Sequence, residues 1–257
     1  MGGKIDCYLD IASLYSYLAF LELQKNRDLL ASHNVQVEYH PILLGGISAL
    51  SGNPPPWTLR AKARYLTHDA RRSVARQGPP SPPISFPADL MQRGMTVAPM
   101  RCLLYIKQHH PAEVFESALH YLFHLFWSPP NADLTRLESV AGALGEVPRG
   151  FEGAGTGSGT GVREGEGREK LLFTEAEVRE IVEGASEEEI KIGLKGVTQE
   201  ALGKGAFGAP WLWVVDERTG RGEPFFGSDR FHFVYEFLGL PYTNVMLLPA
   251  SDEKAKL

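Results

Sequence analysis

Residues 4–10, Lys-Ile-Asp-Cys-Tyr-Leu-Asp, carry the β-branched and aromatic content of a strand. Ser13 follows as a helix N-cap. From Leu14 to Leu30 the apolar residues Leu14, Leu18, Leu21, Leu29 and Leu30 recur at broadly helical spacing, without Gly or Pro. Residues 35–43, Val-Gln-Val-Glu-Tyr-His-Pro-Ile-Leu, read as a second strand. The chain thus opens strand, helix, strand, a βαβ unit.

The middle has a different pattern. Residues 51–56, Ser-Gly-Asn-Pro-Pro-Pro, form a loop, and Thr58–Arg76 is basic and helix-compatible. Five prolines in residues 78–88 require an extended or turned backbone. Met100–His110, Glu113–Trp127 and Leu134–Leu144 are expected helices. Residues 145–167 then carry nine glycines, too little apolar surface to offset ordering entropy, so 145–170 is expected to be a disordered surface insertion. Thr174–Gly184 and Ser186–Gly203 are two more helices. Thr174 with Glu177, and Ser186 with Glu189, have capping-box spacing.

The end returns to the opening style. Trp211–Val215 is a strand, 220–222 a turn, Glu223–Phe226 a strand, and Ser228 is expected to cap a helix ending near Gly239. The order βαβ, helical block, ββα is that of a thioredoxin fold with an all-helical domain inserted between its second and third strands. Residues 1–56 and 204–242 then form the thioredoxin-like domain, 57–203 the inserted domain, and 243–257 a tail.

Composition narrows the functions available. The chain has 257 residues, 43% hydrophobic and 22% charged, ordinary for a globular protein of one large domain or two small ones. A net charge of −5 argues against nucleic acid or an anionic membrane as the main partner. The two cysteines, Cys7 and Cys102, make no C-x-x-C pair and no zinc spacing. No apolar run has the ~18 residues of a membrane span, and the N-terminus lacks a signal-peptide core, so a soluble intracellular protein is expected.

Several motifs invite chemistry. Gly203-Lys204-Gly205-Ala206-Phe207-Gly208 matches G-x-G-x-x-G, but a helix precedes it and a strand follows. Dinucleotide binding needs the reverse order, so a helix C-cap and loop is the better reading. His120 and His124 stand four apart on a helix with no third ligand suggested by spacing, and packing outweighs metal binding there.

Ser13-Leu14-Tyr15-Ser16 lies where the first strand ends and the first helix begins. Alone, Ser13 is an ordinary cap. In thioredoxin-like proteins this corner holds a cysteine whose thiolate is favoured by the helix macrodipole and free N–H groups. A serine there cannot exchange disulfides, but its hydroxyl can donate to another molecule's thiolate. No Ser-His-Asp arrangement makes Ser13 a nucleophile. Phe207-Gly208-Ala209-Pro210-Trp211 precedes the third strand, where a cis proline would present the backbone of Ala209 to an extended ligand. Ser228-Asp229 offers a hydroxyl and a carboxylate, a pairing suited to an amino-acid head group.

Together these corners resemble a kappa-class glutathione transferase, within the wider family of 2-hydroxychromene-2-carboxylate isomerases and DsbA-like thioredoxin proteins. The likeness runs through Asp10–Phe20, Ser51–Lys62, Trp127–Leu134, Gly205–Pro210 and Phe226–Gly239. It implies that Ser13 binds the glutathione sulfur and is the catalytic residue, with Leu14 and Tyr15 beside it. It further implies that Asn53 contacts glutathione, Lys62 meets the glycine end, Ala209 ahead of Pro210 pairs with the cysteinyl backbone, and Ser228 and Asp229 hold the γ-glutamyl group. Leu14 stands where the family usually has Pro, and Tyr17 where Trp is commoner.

The resemblance implies glutathione as co-substrate, no metal, a small electrophile or hydroperoxide as second substrate, and a homodimer. Trp57, Tyr65 and Trp211 are loose candidates for lining the acceptor pocket. A glutathione-dependent isomerase shares the same glutathione site, and a non-catalytic thioredoxin-like module docking extended peptides at Pro210 is a further alternative. Ser228-Asp229 beside Ser13 favours a small zwitterionic ligand. The chain ends Ala255-Lys256-Leu257, a conservative variant of the Ser-Lys-Leu peroxisomal signal, so a peroxisomal import receptor is an expected partner. Peroxisome is the expected location, with cytosol or mitochondrion as the fallback.

Overall fold

The structure, a computed structural model, describes residues 2–77, 84–151 and 171–243. The tripeptide Ala255-Lys256-Leu257 lies outside the described residues, as does most of the Gly-rich segment expected at 145–170 and the 78–83 portion of the proline-rich stretch.

Four strands make one sheet in the order β2-β1-β3-β4. β1 (Gly3–Leu9) pairs in parallel with β2 (Val35–Pro41), from Gly3 opposite Val35 to Leu9 opposite Pro41. β1 pairs antiparallel with β3 (Trp211–Asp216), which pairs antiparallel with β4 (Arg221–Phe226). The βαβ…ββα order read from the sequence is therefore the order of the fold, and every described residue between β2 and β3 is helix, turn or loop but for an isolated bridge between Pro148 and Leu171.

The first helix differs from expectation. It is two helices, α1 (Leu14–Lys25) and α2 (Arg27–Ser32), parted at Asn26. The Asn26 amide donates back to the Glu22 carbonyl at 2.9 Å, the local side-chain bond by which Asn competes with helix continuation. α3 (Leu44–Ser51) was hidden by Gly45-Gly46. Its opening Leu44 N–H is satisfied by the distant Asp10 carboxylate at 2.7 Å, and Gly52 at φ +72° supplies the left-handed residue that stops it.

The remaining helices are α4 (Arg60–Arg76), a short α5 (Leu90–Arg93), α6 (Val97–His109), α7 (Ala112–Trp127), α8 (Leu137–Leu144), α9 (Glu175–Gly184), α10 (Glu188–Gly203) and α11 (Phe231–Phe237). α6 starts ahead of its expected Met100 because Pro99 falls in the first turn, where a missing N–H breaks no helical bond. α8 starts later than expected, since Asp133 Oδ1 accepts from the Thr135 N–H and hydroxyl at 3.0 and 2.7 Å and holds a turn there. The Thr174–Glu177 capping box forms on α9. The one expected at Ser186 does not: Glu187 is the N-cap of α10, and the Ser186 hydroxyl donates back to the Val182 carbonyl at 3.1 Å.

One apolar cluster runs through both regions, from Ile5, Cys7 and Leu9 on β1 through Tyr17 and Phe20 on α1 to Phe123, Phe126 and Trp127 on α7 and Ile181 on α9. A smaller cluster on the other face joins Tyr8, Ile42, Ile47, Ala201, Ala209 and Trp211. Between these two packed faces, the loop from Leu9 to Ser13 is fixed at the carboxyl end of β1.

Candidate active site

The corner after β1 is tied down by bonds from elements distant in sequence. Asp10 is 1% exposed. Its carboxylate accepts from the Thr96 hydroxyl at 2.6 Å, the Ala12 N–H at 2.9 Å and the Leu44 N–H at 2.7 Å. Burial pushes the Asp10 carboxyl up, and these three donors pull it back. The Trp127 indole donates to the Ile11 carbonyl at 2.8 Å, and the Ser13 N–H to the Asp10 carbonyl at 3.0 Å. A loop of four residues is thus held by α3, α6 and α7 together.

Ser13 is the N-cap of α1, as its place before the apolar run predicts. Its hydroxyl accepts from the Ser16 N–H at 3.1 Å and donates to the Ala209 carbonyl at 2.9 Å. The Ala209–Pro210 peptide is cis. Two expected corners therefore meet at a hydrogen bond spanning nearly the whole chain. The N–H groups of Leu14 and Tyr15, in the first turn of α1, take no acceptor among the described residues. The Leu14 side chain is buried in the core, which leaves only its backbone at the corner.

Two of the other expected segments are tied to this point. Asn53 donates to the Phe207 carbonyl at 2.8 Å, which fastens the loop after α3 to the segment entering Ala209. The Gly227 N–H donates to the Pro210 carbonyl at 3.2 Å, and Gly227 at φ +98° turns the chain directly into Ser228-Asp229. Ser228 is not a helix cap: α11 starts at Phe231 after Arg230, so Ser228 and Asp229 occupy the turn between β4 and α11. Asp229 is exposed and accepts from Arg230 at 2.5 Å. Lys62 is exposed on α4 with no carboxylate within ion-pair distance among the described residues. Trp211, a loose candidate for the acceptor pocket, is 4% exposed and packed in the smaller cluster.

Asp69 belongs to the site and was not foreseen. It accepts from the Tyr15 hydroxyl at 2.5 Å and from the Tyr65 hydroxyl at 3.2 Å, and so fastens α4 to the start of α1. Burial first, then the Asp69 bond, with smaller electrostatic contributions from Tyr65 and Asp229, push the Tyr15 hydroxyl well above its ordinary range. The signal available in the sequence was that Asp69 is the lone acid among six cationic residues of α4, one turn after Tyr65. Asp10 and Thr96 were also missed, because nothing local announces a bond between residues so far apart.

The two histidines of α7 pack. His120 is 5% exposed, edge-on to Phe20 and to Phe151, while His124 bonds Ser128 at 3.2 Å. Among the described residues, one group elsewhere has metal-ligand geometry: Asp6, Glu38 and His40 have ligand atoms within 4.8 Å of one another. Lys4 already bridges Asp6 and Glu38 at 2.9 and 2.7 Å, and Lys107 meets Glu38 at 2.8 Å, so these carboxylates are neutralised by lysines. No described helix is long and apolar enough to cross a membrane.

A donor hydroxyl beside two free N–H groups at a helix start suits an anionic atom. The carboxylates of Asp69, bonded to Tyr15, and of Asp229, near enough to Tyr15 to act on it electrostatically, suit an ammonium. The family described as the DSBA-like thioredoxin domain matches residues 4–152, and the chain belongs to it. Within that family the chain is similar to glutathione S-transferase kappa 1 of Homo sapiens, 27% identical over 91% of this chain and 90% of that protein. It is likewise similar to glutathione S-transferase kappa 1 of Caenorhabditis elegans, 29% identical over 93% of this chain and 92% of that one. Among solved structures, a 2-hydroxychromene-2-carboxylate isomerase shares the fold at TM-score 0.63 and 21% identity, covering 92% of this chain and 94% of its own. A probable DsbA oxidoreductase from Streptomyces coelicolor does so at TM-score 0.56 and 14% identity, covering 96% and 94%.

Proposed function

We propose that this chain is a kappa-class glutathione transferase in which Ser13 stabilises the glutathione thiolate for attack on an electrophilic carbon or on a peroxide oxygen. In the peroxide case the S–O bond forms as the O–O bond breaks to release an alcohol, and a second glutathione reduces the sulfenic acid to disulfide and water. The observation that carries the reading is Ser13 itself: a hydroxyl at the start of α1, beside Ala209 and the free N–H groups of Leu14 and Tyr15, where a redox thioredoxin has its thiol. The kappa-named relatives, aligned over nine-tenths of the chain, support it.

A cysteine-like thiol with pKa near ~8.5 is mostly protonated at neutral pH, and the thiolate is the nucleophile. Lowering that pKa by ~2 units needs only ~2.7 kcal/mol of preference for the charged form. One charge-assisted bond from Ser13 and the α1 N–H groups have that capacity. Asp229, with Asp69 behind Tyr15, balances the γ-glutamyl ammonium, and Lys62 the glycine carboxylate. The thiol proton leaves to solvent before attack; conjugation then forms a C–S bond and expels a leaving group or protonates the acceptor.

A second reading uses the same groups. In a glutathione-dependent isomerase the thiolate adds to a conjugated ring, a bond rotates, and the thiolate is expelled. The fold shared with the isomerase structure is compatible with it. Calorimetry with glutathione tests the common core: micromolar to millimolar binding is expected, and its absence overturns both readings. Assays with an aryl halide, a hydroperoxide and a hydroxychromene carboxylate then separate conjugation, peroxide reduction and isomerisation.

A further inference from the structure

The Ser13 hydroxyl has one proton, and that proton is engaged: it goes to the Ala209 carbonyl at 2.9 Å. The oxygen already accepts from the Ser16 N–H. Ser13 cannot donate to a sulfur while it donates to Ala209. On the same residue, the Ala209 N–H takes no acceptor among the described residues. Ala209 thus offers one free donor and one carbonyl occupied by Ser13.

An N-acylated cysteine carries the complementary pair. Its carbonyl accepts from the Ala209 N–H and its own N–H donates to the Ala209 carbonyl, the pairing of two extended strands. A carbonyl oxygen has two lone pairs, but a second donor weakens the first bond and makes it replaceable. We propose that ligand binding is an exchange at the Ala209 carbonyl: the cysteinyl N–H takes over the acceptor, and the released Ser13 hydroxyl turns to the sulfur. The substrate's own peptide group therefore arms the serine. The site selects thiols with an amide N–H on the adjacent carbon, peptidyl cysteines such as glutathione, over simple thiols of equal acidity. Ser16 keeps Ser13 in its cap position throughout, so the change is a rotation of one hydroxyl and not of the backbone.

The inference rests on Ser13 holding the glutathione sulfur, and the two are tested separately. Thiolate absorbance of bound glutathione, titrated in the intact protein and in Ser13→Ala, reports the underlying reading; identical curves overturn that reading. The exchange is tested with a glutathione analogue in which an ester oxygen replaces the cysteinyl N–H. Bound glutathione is expected to titrate about 1–2 units below its solution value, and the bound analogue distinctly less far below its own, by the part that the α1 N–H groups supply without Ser13. Because Ser13 stays on Ala209 in that complex, one neutral hydrogen bond is lost, and affinity should fall by less than about 100-fold by calorimetry. An analogue thiol depressed as far as that of glutathione overturns the exchange, because the hydroxyl would then be free without the N–H. A larger affinity loss overturns it as well, since no bond would have been kept in reserve.

Discussion

The Thr96 hydroxyl donates to Asp10 at 2.6 Å, a bond that joins the helical region to the corner carrying Ser13. Both residues are buried, Thr96 at 2% exposure and Asp10 at 1%. Removing the donor with Thr96→Val keeps shape and volume but leaves a buried carboxylate one bond short, which costs about 1–3 kcal/mol. Thermal unfolding should show a clear drop in Tm. Glutathione affinity should fall too, since Asp10 also anchors Leu44 and Ala12. A variant with unchanged Tm would show that Asp10 is satisfied without Thr96.

The division between what could be read from the sequence and what could not follows sequence distance. The strands at 4–10 and 211–215, and the cap at Ser13, are local patterns of period and capping chemistry, and each forms within a residue or so of its expected place. The resemblance implied that Ser13 and Ala209 each contact the same ligand, but the bond between them is not legible in either segment. What failed were features settled by remote partners. α3 holds two glycines at its start, yet Asp10 caps it from the far side of the corner. Asp69 reads as one acid on a basic helix until Tyr15 is brought against it. Ser228 resembles a cap, but the turn fixed by Gly227 delays α11 to Phe231. Trp211 is aromatic and near the site, yet strand alternation turns it into the smaller cluster.

Ser13→Ala separates capping from chemistry. Losing the bond from Ser16 N–H should lower stability by about 0.5–2 kcal/mol, the usual cost of an N-cap. Conjugation rate at neutral pH should fall much further, and raising the pH should recover part of it as free thiolate forms. Ser13→Thr keeps the hydroxyl and should restore more stability and rate than Ala. An equal loss of rate in Thr and Ala, with full stability, would count against the hydroxyl as the working group.

Asp229→Ala should weaken glutathione by about 1–3 kcal/mol, the cost of leaving a charged partner unmatched, and should matter less for an analogue without the γ-glutamyl amine. Tyr15→Phe removes the hydroxyl that Asp69 accepts from, so α4 loses its bond to the corner. Its effect should appear in KM more than in kcat, because Tyr15 donates to Asp69 and not to a sulfur. Equal losses for glutathione and the amine-free analogue in Asp229→Ala would reduce Asp229 to a turn residue.

Acid should destabilise the protein in two stages. His120 is held down at about 3 from 6.5, chiefly by burial and then by nearby His124, so it stays neutral in the fold. The unfolded chain binds that proton first, and stability therefore falls as pH drops below about 6.5. Burial opposes ionisation of Asp6 and Glu38, but the bonds from His40 and Lys4 to Asp6, and from Lys107 and Lys4 to Glu38, outweigh it and hold each at about 2. Their contribution is present above the unfolded values of 3.8 and 4.5 and disappears as pH falls from there toward 2. His120→Leu, among the rings of Phe20 and Phe151, should flatten the slope of Tm between pH 7 and pH 5 while leaving the steeper loss below pH 4.5. Parallel Tm curves for this variant and the parent over the upper range would assign the first stage to other groups.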